Sequence, residues 1–293
     1  MKAFPVRTCC GNLRAIVHHH PVDLQRILTT LDQPAAQLGI LPTLGAIKPQ
    51  LDLHYFESLK STNTQAWELI KAGAGAGTVV LAQQQQAGRG QWSRPWTSPP
   101  GGVYLSLVLE PDLPLADGIL LTLASAWGLV TALNGLDIPA QIKWPNDLVL
   151  TGKKLGGILT ETHTGSEALS VAVVGVGLNW SNPVPAPGIA LGPWLKARPG
   201  KPFSPYLACL EDLIAIALRG ILQGVYTWQQ QGNAALCDRY QTHLVNMGQW
   251  VTLDGHPAQV MGVSEQGTLK VQTPETKLIR ELAPGEIQLG YGR

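Results

Sequence analysis

AQIKWPNDLVLTGKKLGGILTETHT, residues 140–164, reads as two short apolar strands joined by a tight turn at TGKK. Such a hairpin is antiparallel, and its neighbours on either side have strand and helix patterns in turn. Downstream, LSVAVVGVGLNW (169–180) is a further strand ending in Gly and Asn. Upstream, TVVLAQQ (78–84) and VYLSLVL (103–109) are strands flanking a long glycine-bearing loop. STNTQAWELIKAGAG (61–75) starts with N-cap residues and ends in glycines, as a helix does. GILLTLASAWGLVTALNGL (118–136) is apolar around most of its circumference and reads as a buried helix. SPYLACLEDLIAIALRGILQGVYTW (204–228) reads as a long amphipathic one, after a Pro- and Gly-rich loop over 181–202. Hairpins interrupted by helices predict an α+β fold, a mixed sheet flanked by helices, rather than a doubly wound parallel sheet.

Two segments flank this domain, which spans 52–243. Residues 1–51 form an N-terminal extension with one weak helical stretch, DLQRILTTL, and neither a recognition-helix pattern nor a Lys/Arg cluster. Residues 244–293 carry QWVTL, AQVMGV, GTLKVQT, KLIREL and EIQLG, separated by DGH, SEQG and PGE. Five evenly spaced short strands predict a small SH3-like β-barrel.

Composition narrows the function classes. A net charge of +1 gives no global field that would recruit DNA or an anionic membrane. No apolar run is expected to reach the ~18–20 residues that span a bilayer, and the N-terminus lacks a secretory pattern, so the expected location is cytoplasmic. Cys9, Cys10, Cys209 and Cys237 lack metal or redox spacing and read as reduced thiols. His18–His20 cannot all face one ion from a regular element, and read as a solvated run.

The chemistry concentrates in two places. QQQQAGRGQWSRPWTSPPGGVYLSL (83–107) fits neither the Walker A loop nor the dinucleotide fingerprint, and a strand rather than a helix follows it. Its charge must come from Arg89 and Arg94, on backbone that Gly88 and Gly90 leave free to move, with Trp92 and Trp96 offering apolar faces beside them. Such a loop suits a ligand enclosed after binding; a basic surface loop with structural tryptophans is the alternative. In 143–159, Lys143, Asn146, Asp147 and Lys154 fall within one hairpin. Lys154 adjoins LGGIL, an apolar strand whose glycines imply close backbone approach, so a carboxylate or phosphate partner is expected for it.

Taken in order, STN (61–63), QQAGRG…SRPWTSP (85–99), YLSL (104–107), KWPNDLVL…KKLGGIL (143–159) and GVGLN (175–179) resemble the biotin–protein ligases. The resemblance covers residues 52 to about 240, and a small C-terminal β domain also belongs to that family's pattern. It implies the class II synthetase-like catalytic fold of biotin and lipoate ligases. It implies too that biotin is joined to ATP, with Mg²⁺, as biotinyl-5′-adenylate and then passed to a lysine of the biotin carboxyl carrier protein of acetyl-CoA carboxylase. By that resemblance Ser61, Thr62, Asn63 and Gln85 line the biotin with Arg89, Gly90 and Gln91. Trp96, Lys154, Gly156 and Gly157 complete that set. Arg94, Lys143, Asn146, Asp147 and Asn179 fall on the ATP side, and the 181–202 loop orders over adenine with Trp194 as its stacking partner. Lys154 and Arg89 would offset charge in the reaction, and Asp147 is a partner for the incoming amine; no metal ligands are assigned. The chain departs from the family at Gln91, where many members have arginine, which predicts looser retention of the adenylate. PPGGVY is one residue shorter than the commoner form. Lipoate–protein ligase, a biotin-responsive repressor and a non-catalytic biotin-binding module are the alternatives; a homodimer is compatible with each.

Overall fold

The computed structural model describes residues 22–45, 49–111, 113–114, 117–164, 168–198, 204–274 and 277–290. Cys9, Cys10 and His18–His20 lie outside them. In chain order the elements are α1 (Leu24–Leu31), β1 (Asp52–Leu59), α2 (Thr62–Lys71), β2 (Thr78–Gln85), β3 (Val103–Leu109), β4 (Leu113–Pro114) and α3 (Gly118–Gly135). Next come β5 (Ala140–Lys143), β6 (Asp147–Leu150), β7 (Lys153–Thr164), β8 (Ala168–Leu178), α4 (Leu191–Lys196) and α5 (Leu210–Gln241). The chain closes with β9 (Trp250–Leu253), β10 (His256–Val263), β11 (Leu269–Gln272) and β12 (Ile279–Leu282).

Among the described residues the main sheet has the order β1-β2-β3-β8-β7-β6-β5, with β4 beside β8. Only β1–β2 is parallel, so the sheet is mixed. Period-2 alternation sorts its side chains. Val103, Leu105, Leu107 and Leu109 of β3, with Val174, Val176 and Leu178 of β8, join the large core under α3 and α5. Val108 and Val173 face the other way, into a smaller cluster beneath α2. α3 packs directly on α5, and a Cβ on Gly220 would come 2.9 Å from Leu129 Cα, so the two helices touch backbone to backbone. This seat also corrects the sequence expectation about bilayer-length runs. α3 is 18 residues long with a mean hydropathy of 1.4, enough for a membrane span by length and composition, and 72% of it is buried within the fold. Its apolar circumference is answered by the sheet on one side and α5 on the other.

Three boundaries differ from the sequence reading. The stretch 140–164 makes two hairpins rather than one, because Trp144–Asn146 turns the chain a first time between β5 and β6. The second turn, Thr151–Gly152, has φ +50° and +75°, the doubly positive geometry of a two-residue hairpin. α5 begins at Leu210, not Ser204, since the Asp212 carboxylate accepts from the Ala208 and Cys209 amides and fixes the start there. It then runs on to Gln241 through a break at Gly232, φ +81°. In the C-terminal segment a four-stranded antiparallel sheet, β12-β11-β10-β9, forms as an SH3-like unit. EIQLG, the fifth strand expected there, is not a strand.

The flanking segments are tied to this frame. α1 packs along α5, with Arg26 bonding Asp212 through Nε (3.0 Å) and Nη2 (2.9 Å) and Thr30 Oγ1 bonding the same carboxylate. The small sheet is held by Trp144 Nε1 donating to the Gly267 carbonyl at 3.0 Å. The chain leaving α5 extends β5, Ile142 donating to the His243 carbonyl and Val245 to the Ile142 carbonyl.

Candidate active site

A cleft of about 220 Å³ opens on the face of the sheet that carries α2. Its floor is made by removing side chains. Gly157, Gly175 and Gly177 line it, and Gly157 pairs with Gly177 across β7 and β8. A Cβ at Gly175 would collide with the Asn63 amide, and one at Gly177 with the Trp96 indole. Gly175 and Gly177 therefore make room for two cleft side chains as well as for a ligand.

The walls are locked by hydrogen bonds. Ser61 stands at the N-cap of α2, yet its hydroxyl does not cap; the Gln85 amide oxygen instead accepts from the Thr62 amide at 2.8 Å. That exchange puts Ser61 and Thr62 on the cleft. Gln85 also donates to Ser98 Oγ at 2.8 Å, joining β2 to the far end of the glycine loop. Asn63 accepts from Ser106 Oγ at 2.6 Å and donates to the Leu159 carbonyl at 3.3 Å. Asn146 donates to the Ile158 carbonyl at 2.7 Å.

The charges follow from strand register. Lys143 on β5 is directly opposite Asp147 on β6, 3.9 Å from it, and Lys154 Nζ lies 2.6 Å from the other oxygen of the same carboxylate. Lys154 and Gly157 are three residues apart and a regular strand would put them on opposite faces. A bulge at Leu148/Val149 skips one residue of β7, so both reach the cleft. Lys154 Nζ also sits 5.2 Å from the centroid of Trp96, within cation–π range. Lys143 is buried, and that desolvation pushes its pKa down, helped by Lys154 and Arg94 and opposed by Asp147. Arg89, Gly90, Gln91 and Arg94 close the mouth from the glycine loop. Trp96 Nε1 is buried in this wall with no hydrogen-bond acceptor.

Five expectations fare differently. Gly156 faces away, where a Cβ would meet the Gly177 carbonyl and Leu178 at 2.5 Å; it serves strand packing. Lys143 does not line the cleft and reaches it only by its contact with Asp147. Asn179 is buried behind it, donating to the Lys154 carbonyl at 3.5 Å while its own amide bonds Leu155, so it holds β7 to β8. Trp194 is on α4, inside the stretch expected to be a loop, and packs on the core under the Arg198 guanidinium at 4.8 Å rather than in the cleft. Residues 199–202 of that stretch lie outside the described residues. Trp92, expected beside the ligand, is 63% exposed and leans on Gly285 of the C-terminal segment. Conversely, Glu161 escaped the sequence reading: its Oε1 is 2.8 Å from Arg89 Nη2. Its place on β7, an even number of residues from Gly157, was the available signal.

Residues 55–179 match the biotin/lipoate A/B protein ligase family, a span that holds the cleft's floor and walls. Over this span the chain is similar to that family. Over 129 residues it is 43% identical to the bifunctional ligase/repressor BirA of Bacillus subtilis, covering 43% of this chain and 40% of that protein. Over 122 residues it is 38% identical to a biotin–[acetyl-CoA-carboxylase] ligase of Paracoccus denitrificans, covering 41% and 50%. The chain thus spans half or less of the length of these relatives. The biotin protein ligase of Aquifex aeolicus, solved with biotin and ATP, shares the fold: TM-score 0.63 at 24% identity, over 82% of this chain and 99% of that one.

Proposed function

We propose that this chain activates biotin with ATP to biotinyl-5′-adenylate and transfers the acyl group to a lysine of a biotin carboxyl carrier protein. The observation that carries the reading is the cleft itself: Lys154, Arg89 and Arg94 converge over a glycine floor walled by Trp96, inside the segment most similar to biotin ligases. One apolar wall, Trp96 with Pro95, set among many polar and charged groups suits a small ring-bearing acid. The buried, acceptor-less Trp96 N–H is a donor such an acid's polar ring atoms would satisfy.

Activation brings a carboxylate against a phosphate, so two anions must approach. Fixed cations at that point stabilise the charge as it builds, and positioning does most of the rest. Lys154 is prepared for this by Asp147, which holds the ammonium at the cleft edge until an anion competes for it. Asp147 itself is engaged by two lysines, so a role toward the incoming carrier amine requires that Lys154 first turn to the ligand. No protein nucleophile is needed, since the amine attacks the mixed anhydride directly. Among the described residues no group of three His, Cys, Asp or Glu side chains converges on a metal position. Asp147 with ATP's own phosphates is the donor set that fits Mg²⁺, which usually binds through one or two carboxylates plus substrate phosphate. Mg²⁺ would supply charge neutralisation there.

The test is acylation of a purified apo carrier domain with ATP and either biotin or lipoate, read by intact mass. The reading expects the biotin adduct on one lysine. A lipoyl adduct alone would move the assignment to the sister activity, and no adduct with either acid would overturn it.

A further inference from the structure

Glu161 is placed where no part of the proposed chemistry uses it, yet it touches Arg89, one of that chemistry's cations. It stands on β7 opposite Val173 of β8 and is 24% exposed at its side chain. One carboxylate oxygen meets Arg89 Nη2 at 2.8 Å. The other accepts from Trp67 Nε1 at 2.8 Å. Trp67 is on α2, packed on the cluster under that helix, with its ring 5.9 Å from that of His163 on the same strand. The indole therefore fixes the carboxylate, and the carboxylate holds the guanidinium.

We infer that Glu161, oriented by Trp67, is a positioning residue for Arg89, tethering the glycine loop to the sheet at the mouth of the cleft. Three observations support this. Near Arg89 the loop's backbone bonds are to itself, the Gly90 amide to the Arg94 carbonyl at 2.8 Å and the Trp96 amide to the Gly88 carbonyl at 2.9 Å, and the ties to neighbouring chain come earlier, from the Gln86 and Ala87 amides to the Leu59 and Lys60 carbonyls. It carries two non-glycine residues in the left-handed region, Trp92 and Ser93 at φ +57°, a conformation that must be maintained from outside. A guanidinium offers five N–H donors, so a contact through Nη2 aims the group while leaving others for an anion. A charge-assisted contact also outlasts a neutral one when the loop fluctuates. Arg89 is thus presented at the cleft before any ligand arrives, which lowers the ordering cost of binding.

Trypsin gives a direct readout. Arg89–Gly90 is a cleavable bond in this loop, whereas Arg94 is followed by Pro95 and resists cutting. Cleavage at Arg89 requires its side chain to leave Glu161. The experiment compares wild type, Glu161→Gln, Glu161→Asp and Trp67→Phe by limited proteolysis with mass spectrometry, with thermal melts to establish that each is folded. Glu161→Gln keeps the shape and the acceptor for Trp67 but loses the charge, and is expected to speed the cut at Arg89 by roughly fivefold, in line with loss of a partly exposed ion pair. Trp67→Phe should raise it less, and Glu161→Asp, which retains the charge, should recover part of the protection. An unchanged rate at Arg89 in folded Glu161→Gln would overturn the inference.

A second arm rests on the ligase reading: in steady-state assays Glu161→Gln should raise KM for biotin or ATP more than it lowers kcat. A loss confined to kcat would contradict a positioning role. If the wild type shows no activity at all, the ligase reading fails while the proteolysis arm still decides the tether.

Discussion

Lys154 is the residue whose chemistry and setting are most tightly joined: a bulge turns it to the cleft, a carboxylate holds it, and an indole face shields it. On the proposed reading, replacing it with alanine removes the fixed positive charge where the two substrate anions would meet and leaves Asp147 to repel them. Adenylate formation should fall by at least about 100-fold. A variant within threefold of wild type in pyrophosphate release would show that the charge lies elsewhere. Trp96→Phe asks a finer question, because it keeps the ring over Lys154 and deletes only the buried N–H. Calorimetry should show biotin binding weakened by roughly tenfold, the cost of losing one well-placed bond in a dry wall; unchanged affinity would mean that the indole N–H meets no ligand. Gln91 points the other way. Restoring an arginine there should slow escape of the adenylate by roughly tenfold in a rapid-filtration assay, since a charged donor replaces a neutral one, and equal escape rates would remove that residue from retention.

At the scale of elements, the N-terminal helix hangs on one buried carboxylate. Burial pushes the Asp212 carboxyl up, but bonds from Arg26, the Ala208 amide, Cys209 and Thr30 outweigh it and leave the group below its ordinary value of 3.8. A folded-state pKa below the unfolded one means that the stability it contributes is present at neutral pH and lost as pH falls below that ordinary value. Asp212→Asn should therefore lower Tm at pH 7, by the equivalent of about 1–2 kcal/mol, since the carboxylate is buried but its Arg26 partner is 45% exposed. The gap to wild type should narrow in melts near pH 3; a gap that stays constant with pH would contradict the ion-pair account. The same helix shows what periodicity can and cannot reveal. DLQRILTTL was legible as helical from its spacing, and α3 from its apolar circumference, because local pattern and burial agree there. The start of α5 was not, because it is set by Asp212, a contact that reads as an ordinary polar residue in sequence. The extra turn at Trp144–Asn146 was hidden likewise, two strands of four residues being too short for alternation to separate.

For the molecule as a whole, the cleft was readable where residue type is forced by chemistry. Glycines under a ligand, arginines on a loop and a lysine beside a buried strand all stand out. The contact of Glu161 with Arg89, and the placement of Asn179 and Trp194 outside the cleft, were not legible because they depend on which neighbour the fold brings, and no spacing in the chain encodes that neighbour. The C-terminal segment meets the glycine loop where Trp92 packs against Gly285, at which a Cβ would come 2.8 Å from the indole. The charges, the glycine floor and the similarity to biotin ligases all bear on the proposal that this cleft joins a small acid to AMP. The most direct measurement is biotin-dependent exchange of labelled pyrophosphate into ATP, with wild type beside Lys154→Ala. Exchange should require biotin and Mg²⁺ and collapse in the variant. Absence of exchange in wild type, or exchange indifferent to Lys154, would contradict the proposal.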